Sequence, residues 1–162
     1  MVLTKVINMS ASFEFSLIGV KDVKAKMNKV SQTVNDTGTR TALRKAAGIV
    51  KKSAQQNALS VDDPLTGRRI RDNVTLQFAS KLYRQKGVIM YRVGVSSKRG
   101  RIPVPNKDEG AKGNTPHWHL VELGTERAAA QPFMRPALAN NVNQVTDKFI
   151  NEFNKELDKA LS

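Results

Sequence analysis

The hydropathy pattern of this chain predicts an α+β fold: a small antiparallel sheet packed against two amino-terminal helices and a long carboxy-terminal helix. Two observations carry the prediction. Apolar residues recur every three or four positions near both ends of the chain, and segments of strict alternation occupy its middle. A third observation limits the topology: there is no internal repeat, which excludes solenoids and propellers.

Taken in order, Met1 to Ser10 has no clear period and is expected to be a flexible or partner-ordered arm. Phe13, Phe15 and Leu17 alternate with Ser12, Glu14 and Ser16, the pattern of a strand with one buried face, and Gly19 ends it. Val20, Val23, Met27, Val30 and Val34 then follow helical spacing, with Lys21, Lys24, Lys26 and Lys29 largely off that stripe. Asn35-Asp36-Thr37-Gly38 interrupts or kinks this helix. The second helix places Leu43, Ala47, Val50 and Ala54 on one face, where small side chains let another backbone approach closely. It is expected to end near Asn57, because Asp62-Asp63-Pro64 and Thr66-Gly67 are turn chemistry.

Val74, Leu76 and Phe78 alternate as a strand, as do Ile89, Tyr91, Val93 and Val95, with Gln85-Lys86-Gly87 as the turn between them. Ser96 to Pro116 is the longest irregular stretch, rich in Gly, Pro, Lys and Arg, and is expected to form an extended loop over 96–116. Leu138, Val142, Val145, Phe149, Phe153 and Leu157 form the stripe of a closing helix packed on the sheet, with Asp147, Glu152 and Lys155 facing water. A length of 162 residues fits one domain spanning 1–162.

Composition removes several functional classes. The chain has no cysteine, which excludes disulfides, thiolate zinc sites and thiol catalysis. Its amino terminus lacks a basic-then-apolar signal pattern and no segment reaches membrane-spanning length, so synthesis in the cytoplasm is expected. The formal net charge is +13, and the excess lies before Gly113. Such asymmetry favours an acidic or polyanionic partner.

No catalytic set is evident. No serine sits in a Gly-x-Ser-x-Gly turn, and no glycine-rich loop leads into Lys-Ser/Thr to cradle phosphate. His117 and His119 would share a face on a strand and, with Glu122, suggest a metal site, but a catalytic zinc needs three protein ligands and a packing role around Trp118 is the simpler reading. No metal, cofactor or enzymatic activity is therefore expected. Lys98, Arg99, Arg101, Lys107 and Lys112 make the 96–116 loop basic, suited to polyanion or neighbouring-subunit contacts, and Arg68, Arg69 and Arg71 form a second cluster. The loop is equally readable as a solvated, mobile segment, and it lacks aromatics for stacking on single-stranded bases.

The most specific stretch is His119–Leu138. Leu120, Val121 and Leu123 form a short apolar element stopped by Gly124, a linker of small residues follows, and Pro132 and Pro136 flank Phe133-Met134-Arg135. Proline is tolerated only in the first turn of a helix, so Pro136 marks where the last helix starts and biases Arg135 out of helical geometry. Phe133 and Met134 are then an apolar anchor ahead of the helix. A cation at a helix amino terminus opposes the helix dipole, so Arg135 needs a carboxylate, and Glu122 is the best-placed candidate.

These residues resemble the tail-completion family of long-tailed bacteriophages, minor tail or neck proteins that help join tail to head. The resemblance rests on three ordered motifs: Asp62-Asp63-Pro64-Leu65-Thr66-Gly67-Arg68-Arg69-Ile70, His119-Leu120-Val121-Glu122-Leu123-Gly124-Thr125, and Gln131-Pro132-Phe133-Met134-Arg135-Pro136-Ala137. Leu123 departs from the usual aromatic, and His117-Trp118 from the common Tyr-Ala. The resemblance implies a non-enzymatic virion protein forming a homo-oligomeric ring, of six subunits, between tail tube and head connector. Trp118, Glu122, Phe133, Met134 and Arg135 are then expected at the subunit or partner interface, and basic residues would meet DNA only transiently. The alternative is a basic DNA-binding accessory protein without sequence preference, which would lose affinity steeply with salt.

Overall fold

The computed structural model describes residues 20–96, 110 and 113–162. The predicted Phe13–Leu17 strand, the 1–10 arm and the basic residues Lys98, Arg99, Arg101, Lys107 and Lys112 lie outside them. The described chain is α+β: α1 (Val20–Gln32), a π-helical turn (Thr33–Thr37), α2 (Gly38–Asn57), α3 (Ile70–Asn73), β1 (Val74–Phe78), α4 (Ser80–Lys86), β2 (Tyr91–Val95), α5 (Trp118–Leu123), α6 (Met134–Ala139) and α7 (Val142–Leu161).

Helix α2 is the spine. Ala42, Ala46, Val50, Ala54 and, just past its end, Ala58 recur every fourth residue and are buried, so the stripe is centred one residue before the predicted Leu43–Ala47 face. Small side chains along this line let α7 and α6 lie closely against it. The core forms where Val50, Ala54 and Ala58 meet Ile70, Val74, Phe133 and Ala137, and Val61, Val93, Val95, Trp118, Val121, Met134 and Val145 pack around it. The expected interruption after α1 is a π-helical turn, as Asn35 and Asp36 suggested. Arg40, just beyond it, lies 4.1 Å from the Tyr83 ring centre and 4.7 Å from that of Phe78, tying α2 to the sheet by cation–π contacts.

β1 and β2 pair antiparallel, with Val74 opposite Val95 and Phe78 opposite Tyr91. Their connection is not the hairpin turn that Gln85-Lys86-Gly87 suggested. The residues after Ala79 form α4, and Gly87, at φ +66°, ends that helix in a left-handed cap, its N–H donating to the Tyr83 carbonyl at 2.8 Å. Ile89 falls outside β2, which starts at Tyr91.

The closing helix is two helices. Pro136 is the third residue of α6, so Arg135 is helical, contrary to the expectation that proline would push it out. First-turn proline needs no donor of its own, and the helical start is enforced from outside, as described below. The chain breaks at Asn140-Asn141, where Asn141 Nδ2 donates to the Ala137 carbonyl at 2.9 Å and to Ser53 Oγ on α2 at 3.0 Å. Leu138 and Val142, expected in the buried stripe, are exposed on either side of this corner. Beyond it α7 packs chiefly on α2, and on α1, where packing on the sheet was expected. Phe149 and Phe153 stack one turn apart, ring centres 5.7 Å from each other.

Glu152, expected to face water, is buried instead. Its carboxylate receives Lys45 Nζ from α2 at 2.5 Å and Lys148 and Lys155 from its own helix at 3.1 and 3.2 Å. Hydrogen bonds from the three ammonium groups, Lys45 foremost, lower its pKa from 4.5 to about 2. In the unfolded chain the group takes up its proton near 4.5, so between 4.5 and 2 the unfolded state binds more protons and loses fewer favourable contacts. Stability from this cluster is therefore fully present above pH 4.5 and lost as pH falls towards 2. Urea midpoints taken between pH 6 and pH 2.5 should fall, and the Glu152→Gln variant should show a visibly flatter decline. An identical slope for the variant would remove Glu152 from the account.

Candidate assembly interface

The two halves of the His119–Leu138 stretch meet at one side chain. Glu122, on α5, is 4 % exposed. Its Oε2 accepts the backbone N–H groups of Phe133 (2.7 Å) and Met134 (2.9 Å), and its Oε1 accepts that of Arg135 (3.0 Å). The first N–H groups of a helix have no partner within it, and they carry the positive end of its dipole. A carboxylate borrowed from α5 satisfies three of them at α6. This is why Arg135 is helical: the cap fixes the turn before proline's preference acts.

The predicted Glu122–Arg135 pair also forms, with Arg135 Nε 3.5 Å from Oε1 and Nη2 donating to the Glu122 carbonyl at 3.4 Å. The arginine side chain is 65 % exposed, so the pair is secondary to the backbone cap. Phe133, read from sequence as an anchor for a partner, is instead 1 % exposed within the subunit's own core, and its carbonyl accepts Asn57 Nδ2 at 3.0 Å. Glu122 is likewise enclosed. Of the five expected interface residues, Arg135 is exposed and Trp118 and Met134 are half-buried.

The intervening loop is closed tightly. Gln131 N–H donates to the Val121 carbonyl (2.8 Å) and Thr125 N–H to that of Ala128 (2.9 Å), while Thr125 Oγ1 accepts the N–H groups of Arg127 and Ala128. Gly124 has φ +78°, and a Cβ there would lie 2.8 Å from the Ala130 nitrogen. Only glycine fits this crossing.

α5 is a helix, so the strand on which His117 and His119 would share a face does not exist. His117 borders a groove of about 420 Å³ with Val61, Asp62, Leu120, Val121 and Gln131 among its walls. Burial, more than the nearby Arg68, lowers the His117 pKa, and burial raises that of Asp62 against the pull of Arg71 and Arg69. Among the described residues no three His, Asp or Glu side chains converge to hold a metal ion.

The second basic cluster is largely neutralised. Arg68 lies 3.8 Å from Asp63, and Arg71 lies 3.4 Å from Asp62 and 3.8 Å from Asp72. The Asp63 carboxylate also accepts the Leu65 N–H at 2.9 Å and pairs with the Thr66 hydroxyl, making the Asp62–Ile70 motif a self-contained turn. Sequence reading missed Asn73, which ties the described residues Ser96, Gly113 and Thr115 together. Its carbonyl accepts the Ser96 N–H at 2.8 Å, and its buried Nδ2 donates to the Gly113 carbonyl (2.8 Å) and Thr115 Oγ1 (2.9 Å). Nothing in a lone asparagine beside a strand announces such contacts forty residues away.

A sequence model of the family described as "Bacteriophage HK97-gp10, putative tail-component" matches residues 21–124, more than half of the chain. The chain belongs to this HK97-gp10-like family of phage tail components. The match runs from α1 through the Glu122 helix to Gly124, so the Asp62–Ile70 turn, the Asn73 clamp and the capping carboxylate all lie within the HK97-gp10-like region. Phe133-Met134-Arg135, which receives the cap, lies beyond it. No curated protein and no solved structure matches the chain. Membership makes this HK97-gp10-like protein a virion component that works against other virion proteins. No helix among the described residues is long and apolar enough to cross a membrane.

Proposed function

We propose that this protein completes the phage tail tube and forms the joint between tail and head connector, acting as one subunit of a closed homo-oligomeric ring and carrying no catalytic activity, metal or cofactor. The observation that supports this best is apolar surface left in water around the cap. Leu120 and Leu123 on α5, Leu138 on α6 and Val142 at the start of α7 are each about half exposed or more. Such surface on so charged a chain suits burial against other polypeptides. A ring needs two different patches on each copy, one meeting the other on the next subunit.

Deleting the gene should yield headless tails beside filled, unjoined heads, and supplying the protein in trans should restore particles. Normal joining without it would refute this role. The basic composition favours one rival, a DNA-binding accessory protein. That reading requires duplex affinity in the free protein that falls steeply between low and moderate salt. The in-chain neutralisation of Arg68 and Arg71 weighs against it.

A further inference from the structure

From Asn73 to Ser96 the chain carries Lys81, Arg84, Lys86 and Arg92 and no acidic residue. None of these side chains forms an ion pair or hydrogen bond among the described residues. Elsewhere the cations are matched: Arg68 and Arg71 by aspartates, and Lys45, Lys148 and Lys155 by Glu152. Arg84 and Lys86 lie in the last turn of α4, where the helix dipole accounts for them. Lys81 and Arg92 have no such partner.

The sheet explains how these two charges meet. Helix α2 covers one of its faces, where Val74, Val93 and Val95 join the core. Side chains alternate across a strand, so Thr75, Gln77 and Arg92 lie on the opposite face, with Gln77 directly across from Arg92. Arg92 and Lys81 line one cleft of about 290 Å³, together with Gln77, Ser80 and Gln85. The exposed residues of its wall are all polar, because Phe78 and Leu82 are half-buried and Ala79 is buried.

We infer that this cleft meets the phosphodiester backbone of duplex DNA, with Arg92 and Lys81 at phosphate oxygens and Gln77, Ser80 and Gln85 as neutral donors. The missing carboxylates suit an anion. The missing exposed apolar area selects DNA over an acidic protein, which would need such area at the centre of its footprint. The rings of Phe78, Tyr83 and Tyr91 pack on one another, so none stands free to stack on an unpaired base, and duplex is favoured over single strand. Contacts to phosphate read charge and not sequence. A cleft with few charges binds weakly in a free subunit and gains by repetition around a ring. Its place along the genome's path rests on the ring reading above, whereas its affinity for duplex does not.

Fluorescence anisotropy of a random-sequence duplex with the full-length protein, across a salt series, tests the cleft. The K81Q/R92Q variant should bind roughly tenfold more weakly at low salt, and its slope of log affinity against log salt should be shallower by about two. The K26Q/K29Q variant makes the same change of net charge on α1 and should keep the parent slope. A parent protein that fails to bind duplex would overturn the inference, as would equal losses in the two variants, the signature of net charge alone. The absence of native cysteine allows a second measurement in phage particles. A photoactivatable group on Lys81→Cys should crosslink to the genome, and one on Leu123→Cys to protein. Joined particles in which the Lys81→Cys label reaches protein alone would overturn the cleft's role and spare the ring. Normal joining in phage lacking the protein would overturn the ring and leave the duplex affinity standing.

Discussion

Glu122→Ala should cost about 3 kcal/mol of folding stability, because it removes a buried charged acceptor from three backbone donors at once. The carboxylate sits 2.7–3.0 Å from the N–H groups of Phe133, Met134 and Arg135. Glu122→Gln should lose less, since an amide oxygen still accepts but without charge. Arg135→Ala should cost under about 1 kcal/mol, as expected for an ion pair with one exposed partner. The reciprocal exchange of Glu122 with Arg135 should give no rescue: it sets a cation against the positive end of α6, which has no acceptor left. Urea unfolding followed through the fluorescence of the single tryptophan, Trp118, measures all four variants. A Glu122→Ala variant as stable as the parent would remove the cap from the account of this motif.

Phe133→Ala should be more damaging still, at about 3–5 kcal/mol, the usual range for deleting a fully buried aromatic. Phe133 is the largest of the fully buried side chains described and belongs to one core cluster with residues of α2, α3 and β1, elements far apart in sequence. Met134→Ala, at a half-buried neighbour, should cost roughly 1–2 kcal/mol, because less apolar surface is withdrawn from water there. The comparison discriminates between two roles for the same motif. A core residue lowers the urea midpoint of the isolated subunit, whereas an anchor for a partner leaves that midpoint unchanged and impairs assembly alone. The second outcome would show that Phe133 does not stabilise the core of the free subunit, contrary to its burial there.

The Glu122–Phe133 junction also explains why the two sequence motifs stand so near each other in the chain. The short apolar helix, the glycine that ends it and the first turn of α6 are parts of one hydrogen-bonded unit. Gly124 permits the backbone crossing, and Glu122 closes it. The unit leaves Arg135 and Leu138 facing outward while holding Phe133 inward.

The sequence by itself determined the α+β class, the break after α1, the two paired strands, the place of α2 and the Glu122–Arg135 pairing. Each follows from local periodicity, from a glycine or asparagine, or from a charge set at a helix end. Those are properties of neighbouring residues and need no knowledge of the rest of the fold. Only the tertiary structure decided that Phe133 lies inside, that Glu152 is buried among Lys45, Lys148 and Lys155, that Arg135 is helical, and that Asn73 ties Ser96 to Gly113 and Thr115. In each case the deciding partner is remote in the chain or competes with a local preference that it overrides. A lysine 107 positions away makes a buried carboxylate favourable, and a carboxylate from another helix makes the residue before proline helical. Periodicity records which face of an element is apolar, but which polar groups become buried depends on the partners that folding brings to them.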